Sequence, residues 1–256
     1  MARSSVSVRA FAVSGVVALL ALGLGACADA GDDKEPETRS FGVEGRTLTV
    51  DSDDSALEIV SVEGAAEGKI EVTRWFKGSV VAGDEPEVTW AMADDRLTLR
   101  MNCSGVIADC EAKHRIEVPR GIAVKVEDGD GSVRASGFED ALSIRTGDGS
   151  VRVTDSSGPL ELRSGDGSVR AEVDSREVRT HTSDGSVRIE LGVVPDLVES
   201  RSGDGSVTIE VPRAAYRVTA ETGDGGVDVS VPRDESSAHV VNAHTGDGKV
   251  TVRTAN

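Results

Sequence analysis

The chain has little of what catalytic pockets and sugar-binding grooves are usually built from. Only 3% of its 256 residues are aromatic: two Trp, one Tyr and four Phe. That leaves few faces on which a sugar or a base would stack, which argues against the long β-helices that cleave polysaccharides; a wall-polysaccharide enzyme is kept only as a remote alternative. There are four His and three Cys. No HExxH or GxSxG motif occurs, and no two Cys/His pairs stand at zinc spacing, so the common metallo- and serine-hydrolase arrangements are missing. Net positive charge is also missing. Asp and Glu number 45 against 28 Lys and Arg, for a formal charge of −17, which excludes binding nucleic acid through its phosphates. Helical periodicity is absent beyond the first 26 residues, and the one long apolar run lies within them.

That run, "AFAVSGVVALLALGLG", follows Arg3 and Arg9. It is uncharged and too short for a stable span, which marks residues 1–26 as a secretory signal peptide. It ends in Leu24-Gly25-Ala26-Cys27. This resembles the bacterial lipobox and makes Cys27 the lipid-attachment site; ordinary cleavage near "ACADA" is the alternative. The leader carries two Arg and no acid, so the chain that remains has a formal charge of −19. The segment "ADAGDDKEPETRS" lacks apolar periodicity and reads, with Cys27, as a lipidated disordered tether over 27–40. Cys103 and Cys110 are the remaining cysteines, and outside the cytoplasm such a pair is expected to form a disulfide.

The rest of the chain is dominated by a repeat. A Gly-Asp-Gly corner, Ser-Asp-Gly in the fourth repeat, places its Asp at Asp130, Asp148, Asp166, Asp184, Asp204, Asp224 and Asp247, in steps of 18, 18, 18, 20, 20 and 23 residues. Before each Asp stand pairs such as Leu142/Ile144 and Leu160/Leu162; after it stand Val151/Val153 and Val169/Ala171. This period-2 alternation predicts two short strands per repeat, each with one buried face. Two residues before the Asp, six of the seven repeats carry a hydroxyl: Thr146, Ser164, Thr182, Ser202, Thr222 and Thr245. Such hydroxyls are suited to satisfying backbone groups left open at a bend. Two all-β architectures fit. One is a right-handed parallel β-solenoid with about 18–20 residues per rung. The other is an antiparallel meander of Asp-Gly hairpins. The solenoid accounts for more, because stacking explains why like residues recur in one column.

The corner series, together with "HRIEVPRGIAVKVEDGDGSV", resembles bacterial secreted and membrane-anchored "putative adhesin" domains of unknown function. The resemblance spans residues 41–256. It implies a β-solenoid and a cell-envelope setting, and no catalytic residues. Residues 41–120 are strand-like but irregular and are expected to form imperfect rungs and a cap closed by the disulfide; 121–256 are expected to form the regular solenoid. Both Trp75 and Trp90 fall in the cap region, where packing is their expected role.

A column of Asp carboxylates one rung apart would repel. Neighbours about 4.8 Å apart cost about 1 kcal/mol per pair even in water. The Arg column Arg134, Arg152, Arg170 and Arg188 is one source of compensation and calcium is another. The weak calcium candidates are Asp204, Asp224, Asp228 and Asp247, where the arginines thin out. No cofactor is otherwise expected, and neither the EF-hand pattern nor the nonapeptide β-roll fits. The expected role is a non-enzymatic, membrane-anchored envelope protein that offers polar rows to a protein or wall polymer, with a calcium-dependent binding module as the alternative.

Overall fold

The Val, Ile and Leu positions that alternate with charge form strands, and each strand turns its aliphatic face inward. A computed structural model describes residues 30, 33–64, 66 and 68–255. The expected signal peptide, residues 1–26, and Cys27 lie outside the described residues. Two sheets of 11 and 10 strands face each other. The chain runs up one, the inbound sheet, turns at a Gly-Asp-Gly corner, and leaves in the other, the outbound sheet. Leu142–Thr146 followed by Val151–Thr154 is one such rung, and Leu160–Ser164 followed by Val169–Val173 is the next.

Successive rungs pair in parallel, with Leu142 beside Leu160 and Val151 beside Val169. The chain is therefore a β-solenoid, and the hairpin meander is excluded. Like residues do stack on like. Val133, Val151, Val169, Val187, Val207 and Val250 form one fully buried column. Each such side chain contributes roughly 1.5–3 kcal/mol on burial. Where the inner column changes from Leu162 to Thr180 and Ser200, the two hydroxyls are on adjacent rungs and bond each other at 2.8 Å.

The corner glycines answer to close approach, not to unusual dihedrals. None of the corner glycines has positive φ. A Cβ at Gly149 would lie 1.9 Å from the Gly131 carbonyl oxygen, and the same contact recurs up the stack. Backbone passes directly over backbone, and only a residue without Cβ fits. The hydroxyl column seals the same bend: Thr146 donates to the Gly129 carbonyl at 2.8 Å, and Thr245 donates to that of Gly205 at 2.6 Å.

Three expectations are corrected. First, the disordered tether expected over 27–40 meets an ordered strand in its last residues. Glu37–Gly42 is a strand, antiparallel to Lys69–Gly83, and is held by a Glu37–Arg74 ion pair at 3.0 Å and a Thr38–Thr73 hydroxyl contact at 3.0 Å.

Second, one rung of the regular stack lies inside the region expected to be irregular. Thr47–Ser52 and Ala56–Val62 pair with Ala123–Asp128 and Val133–Ser136 in the same register as the repeats. On their other side lie Arg96–Asn102 and Gly105–Pro119, whose corner is drawn out into a long ribbon. Glu87–Ala93 and Lys69–Gly83 close this end as antiparallel partners. Trp90 packs inside, with the guanidinium groups of Arg39 and Arg74 each 4.7 Å from its ring centroid.

Third, the last two rungs are exchanged. Leu197–Ser202 pairs with Val240–Thr245, and that strand pairs in turn with Arg217–Thr222. The final rung in chain order is therefore intercalated beneath the one before it. The crossover is fastened by the one Tyr: Tyr216 is fully buried and donates to the Pro212 carbonyl at 2.7 Å. Beside it, His239 Nδ1 lies 2.8 Å from the Pro195 carbonyl.

Gly149→Ala is expected to lower the melting temperature by roughly 4–10 °C, since overpacking of this kind costs about 1–3 kcal/mol. Gly226→Ala is the matched control: its nearest neighbour, Lys249 Cγ, is 4.0 Å away, and thermal melts should leave it unchanged. Equal melting temperatures for the two variants would refute backbone stacking as the reason for glycine.

Candidate functional site

The structure has two kinds of repeated polar surface: the rim of corners, and the outer faces of the two sheets. At the rim, all seven predicted Asp residues are exposed. They lie in one column, but the exchange of the last rungs changes their order. Asp247 stands between Asp204 and Asp224, as the registers of Val207, Val250 and Val227 require. The expected Arg compensation does not occur here. Among the described residues no ion pair joins a corner Asp to an Arg; the carboxylates are exposed to water, where mutual repulsion is weakest.

An eighth member of the column was missed. Leu57 pairs with Val133, so Asp54 occupies the place of Asp130. The three-residue offset from the Asp to the first buried aliphatic was the available signal. Its corner, Ser52-Asp53-Asp54-Ser55, lacks glycine for a physical reason. The rung beneath it opens into the ribbon, so no tight corner crowds Ser55.

The arginines serve the outbound face. Arg134, Arg152, Arg170 and Arg188 stand one above another in register. Glu172 is 3.3 Å from Arg152 and 2.6 Å from Arg170, and Glu210 pairs with Arg188 and with Arg253. The neighbouring arginines hold the Glu172 carboxyl below its usual range. On the inbound face the row three residues before the corner runs Asp51, Glu127, Arg145, Arg163, His181, Arg201, His244, Glu221. A shallow groove lies along its first half. Arg96 closes the acidic end by bridging Asp51 at 2.8 Å and Glu127 at 3.0 Å. These pairs are part-exposed, so their value lies in alignment more than in stability.

One residue breaks the pattern. Asp128 occupies the buried hydroxyl column, between Ser52 and Thr146. It is only 8% exposed. The Ser52 hydroxyl and the Gly131 N–H lie on its flank, but neither makes a hydrogen bond of normal geometry to it. Burial, and then the nearby charges of Asp54 and Asp130, push its carboxyl up to about 7.

His114 is the opposite case. It is fully buried against Trp90, with ring centroids 6.2 Å apart, and burial with the charge of Arg74 pulls it down to about 4. It is a neutral core residue, and Cys103 and Cys110 form a disulfide with Cα atoms 6.2 Å apart. The thiols are thus not available as metal ligands beside His114.

Among the described residues no group of three or more His, Cys, Asp or Glu converges as a metal site. Of the calcium candidates, Asp204, Asp247 and Asp224 are successive rim residues, whereas Asp228 lies on the outbound face, 3.7 Å from Lys249.

Stacked two-sheet rungs, a corner column and a ribbon-capped first end define the molecule, and the model of the family described as Toastrack DUF4097 matches residues 30–256. The chain belongs to this family. Among solved structures, a "putative adhesin" from Bacteroides fragilis has a TM-score of 0.52 at 13% identity, over 87% of this chain and 98% of that one. A "putative adhesin" from Parabacteroides merdae has a TM-score of 0.43 at 14% identity, over 87% of this chain and 97% of that one. At 13% identity the likeness to the Bacteroides fragilis structure is one of fold. A comparison with curated proteins returns no match.

Asp128 gives this Toastrack chain a pH signature with a definite sign. The unfolded carboxyl releases its proton near 3.8 and the folded one near 7. Stability from this group is therefore complete below about pH 4 and is lost as pH rises to 7. Asp128→Asn should raise the melting temperature at pH 8 and leave it nearly unchanged at pH 4. Equal shifts at both pH values would contradict a buried, protonated Asp128.

Proposed function

We propose that this Toastrack protein is a non-enzymatic, lipid-anchored protein of the cell envelope. It acts as an adhesin-like scaffold whose rows of charged side chains engage another protein or a wall polymer outside the cytoplasm. The observation that carries this reading is the in-register Arg row, Arg134 to Arg188, with its flanking glutamates. A surface that repeats once per rung matches a partner that also repeats. Contacts that are weak singly become strong when several engage together. The naming of the Bacteroides fragilis structure as a "putative adhesin" supports the same role. The leader and the Leu24-Gly25-Ala26-Cys27 sequence support export and anchoring at Cys27.

Two measurements test the proposal. Cys27→Ser should move the protein from the membrane fraction into the medium; retention on the membrane would remove the anchor. Binding of the purified protein to isolated cell envelopes should fall modestly, about two- to threefold, for Arg152→Glu alone. It should fall multiplicatively when Arg170→Glu is added. Loss of all binding on one substitution would instead point to a discrete site, and no loss from either would remove the row from the function.

A further inference from the structure

The described residues leave four large apolar side chains strongly exposed: Val106 at 80%, Ile107 at 65%, Val81 at 56% and Val227 at 46%. The first three are together. Val81 pairs directly with Ile107 where Lys69–Gly83 and Gly105–Pro119 run beyond the rungs as a two-stranded ribbon. Val106 and Ile107 lie within the short loop that the Cys103–Cys110 disulfide closes. A solvated protein gains nothing from an apolar tip braced in this way, and clustered exposed aliphatics mark contact surfaces.

The N-terminal strand shows what lies opposite the tip. Glu37–Gly42 runs antiparallel to Lys69–Gly83, with Glu37 beside Arg74. Followed backward from Glu37, the chain climbs the ribbon's edge toward the tip. Asp33 Oδ2 accepts the Phe76 N–H at 3.1 Å, and the carbonyl of the fully buried Ala30 accepts the Asp33 N–H at 3.1 Å. Cys27 is three residues further back, a reach of about 10 Å at most. From Phe76 the ribbon continues five residues to Val81, roughly 17 Å. Ala30, the described residue nearest Cys27 in the chain, and the apolar tip are thus at the same end of the molecule.

We propose that Val81, Val106 and Ile107 enter the surface of the bilayer in which the acyl chains of Cys27 are held; this rests on the anchor reading above. Aliphatic side chains at a ribbon tip partition into the boundary between headgroups and acyl chains. Asp84 and Glu85 adjoin the tip in the connecting turn, and their charge disfavours anionic headgroups. The surface it fits is a zwitterionic one. Two contacts, the lipid and the tip, then hold the solenoid at a set angle where a tether alone would let it swing.

The test uses the full lipoprotein in phosphatidylcholine vesicles with brominated acyl chains, which quench a nearby indole. Ile107→Trp adds a reporter at an exposed site. On flotation with these vesicles, the added emission should be largely quenched, and adding Val81→Asp should restore it. Mass measurement of Cys27 separates the two layers of the reading. An unacylated Cys27 overturns the anchor and this inference with it. An acylated, floating protein whose added indole stays bright overturns insertion alone, as does quenching that Val81→Asp leaves unaltered.

Discussion

The structure depends on the passage of one backbone over another at the corners. A carbonyl oxygen of each rung sits where the Cβ of the next would be, as Gly131 does beneath Gly149. This approach fixes the residue type and, through it, the register. With the corner aligned, Val151 has to lie over Val133, Arg152 over Arg134 and Thr146 over Asp128. The aliphatic columns supply most of the driving force, yet a hydrophobic strand alone tolerates slippage by two residues. The glycine contact, with the hydroxyl bonds across it, removes that freedom.

Much of this is legible in the sequence, because a stacked repeat writes the same physics many times. The strand pairs, the buried positions and the hydroxyl seal all follow from alternation around Asp148 or Asp166. The order of the last rungs does not. Val198 meets the same kind of neighbour whether Val218 or Val241 lies beside it, so the columns are degenerate to exchange. Only the longer connector, with Tyr216 and His239 to fasten it, distinguishes the two. Asp54 was hidden for a related reason. Its corner lacks the glycines that signal the motif, since the crowding that demands them is absent there. The strand character of Glu37–Gly42 was hidden because an edge strand needs no apolar face of its own; its backbone is satisfied by Lys69–Gly83.

The polar site was less legible than the fold. The Arg row could be counted in the sequence, but its partners could not. Arginine and aspartate four residues apart across a corner lie on different surfaces, so the corner charges and the face charges do not meet. The pairing goes instead to glutamates two residues along the same strand, as with Arg170 and Glu172, and on to the next rung. Asp128 was visible only as the one repeat without a hydroxyl. Its consequence, a carboxyl that holds its proton to near neutrality, comes first from burial between Ser52 and Thr146 and then from the nearby charges of Asp54 and Asp130.

The intercalated rung has a consequence for assembly. In a solenoid that stacks in chain order, each new turn could settle as it emerges, and a shortened chain would differ only in length. Here residues 217–230 take their places against 240–254, the strands made after them. A product cut short before that point would lack the strands that here join 217–230 to 197–211. The exchange therefore ties the far end of the rod to its last-made part, which is held between two rungs made before it.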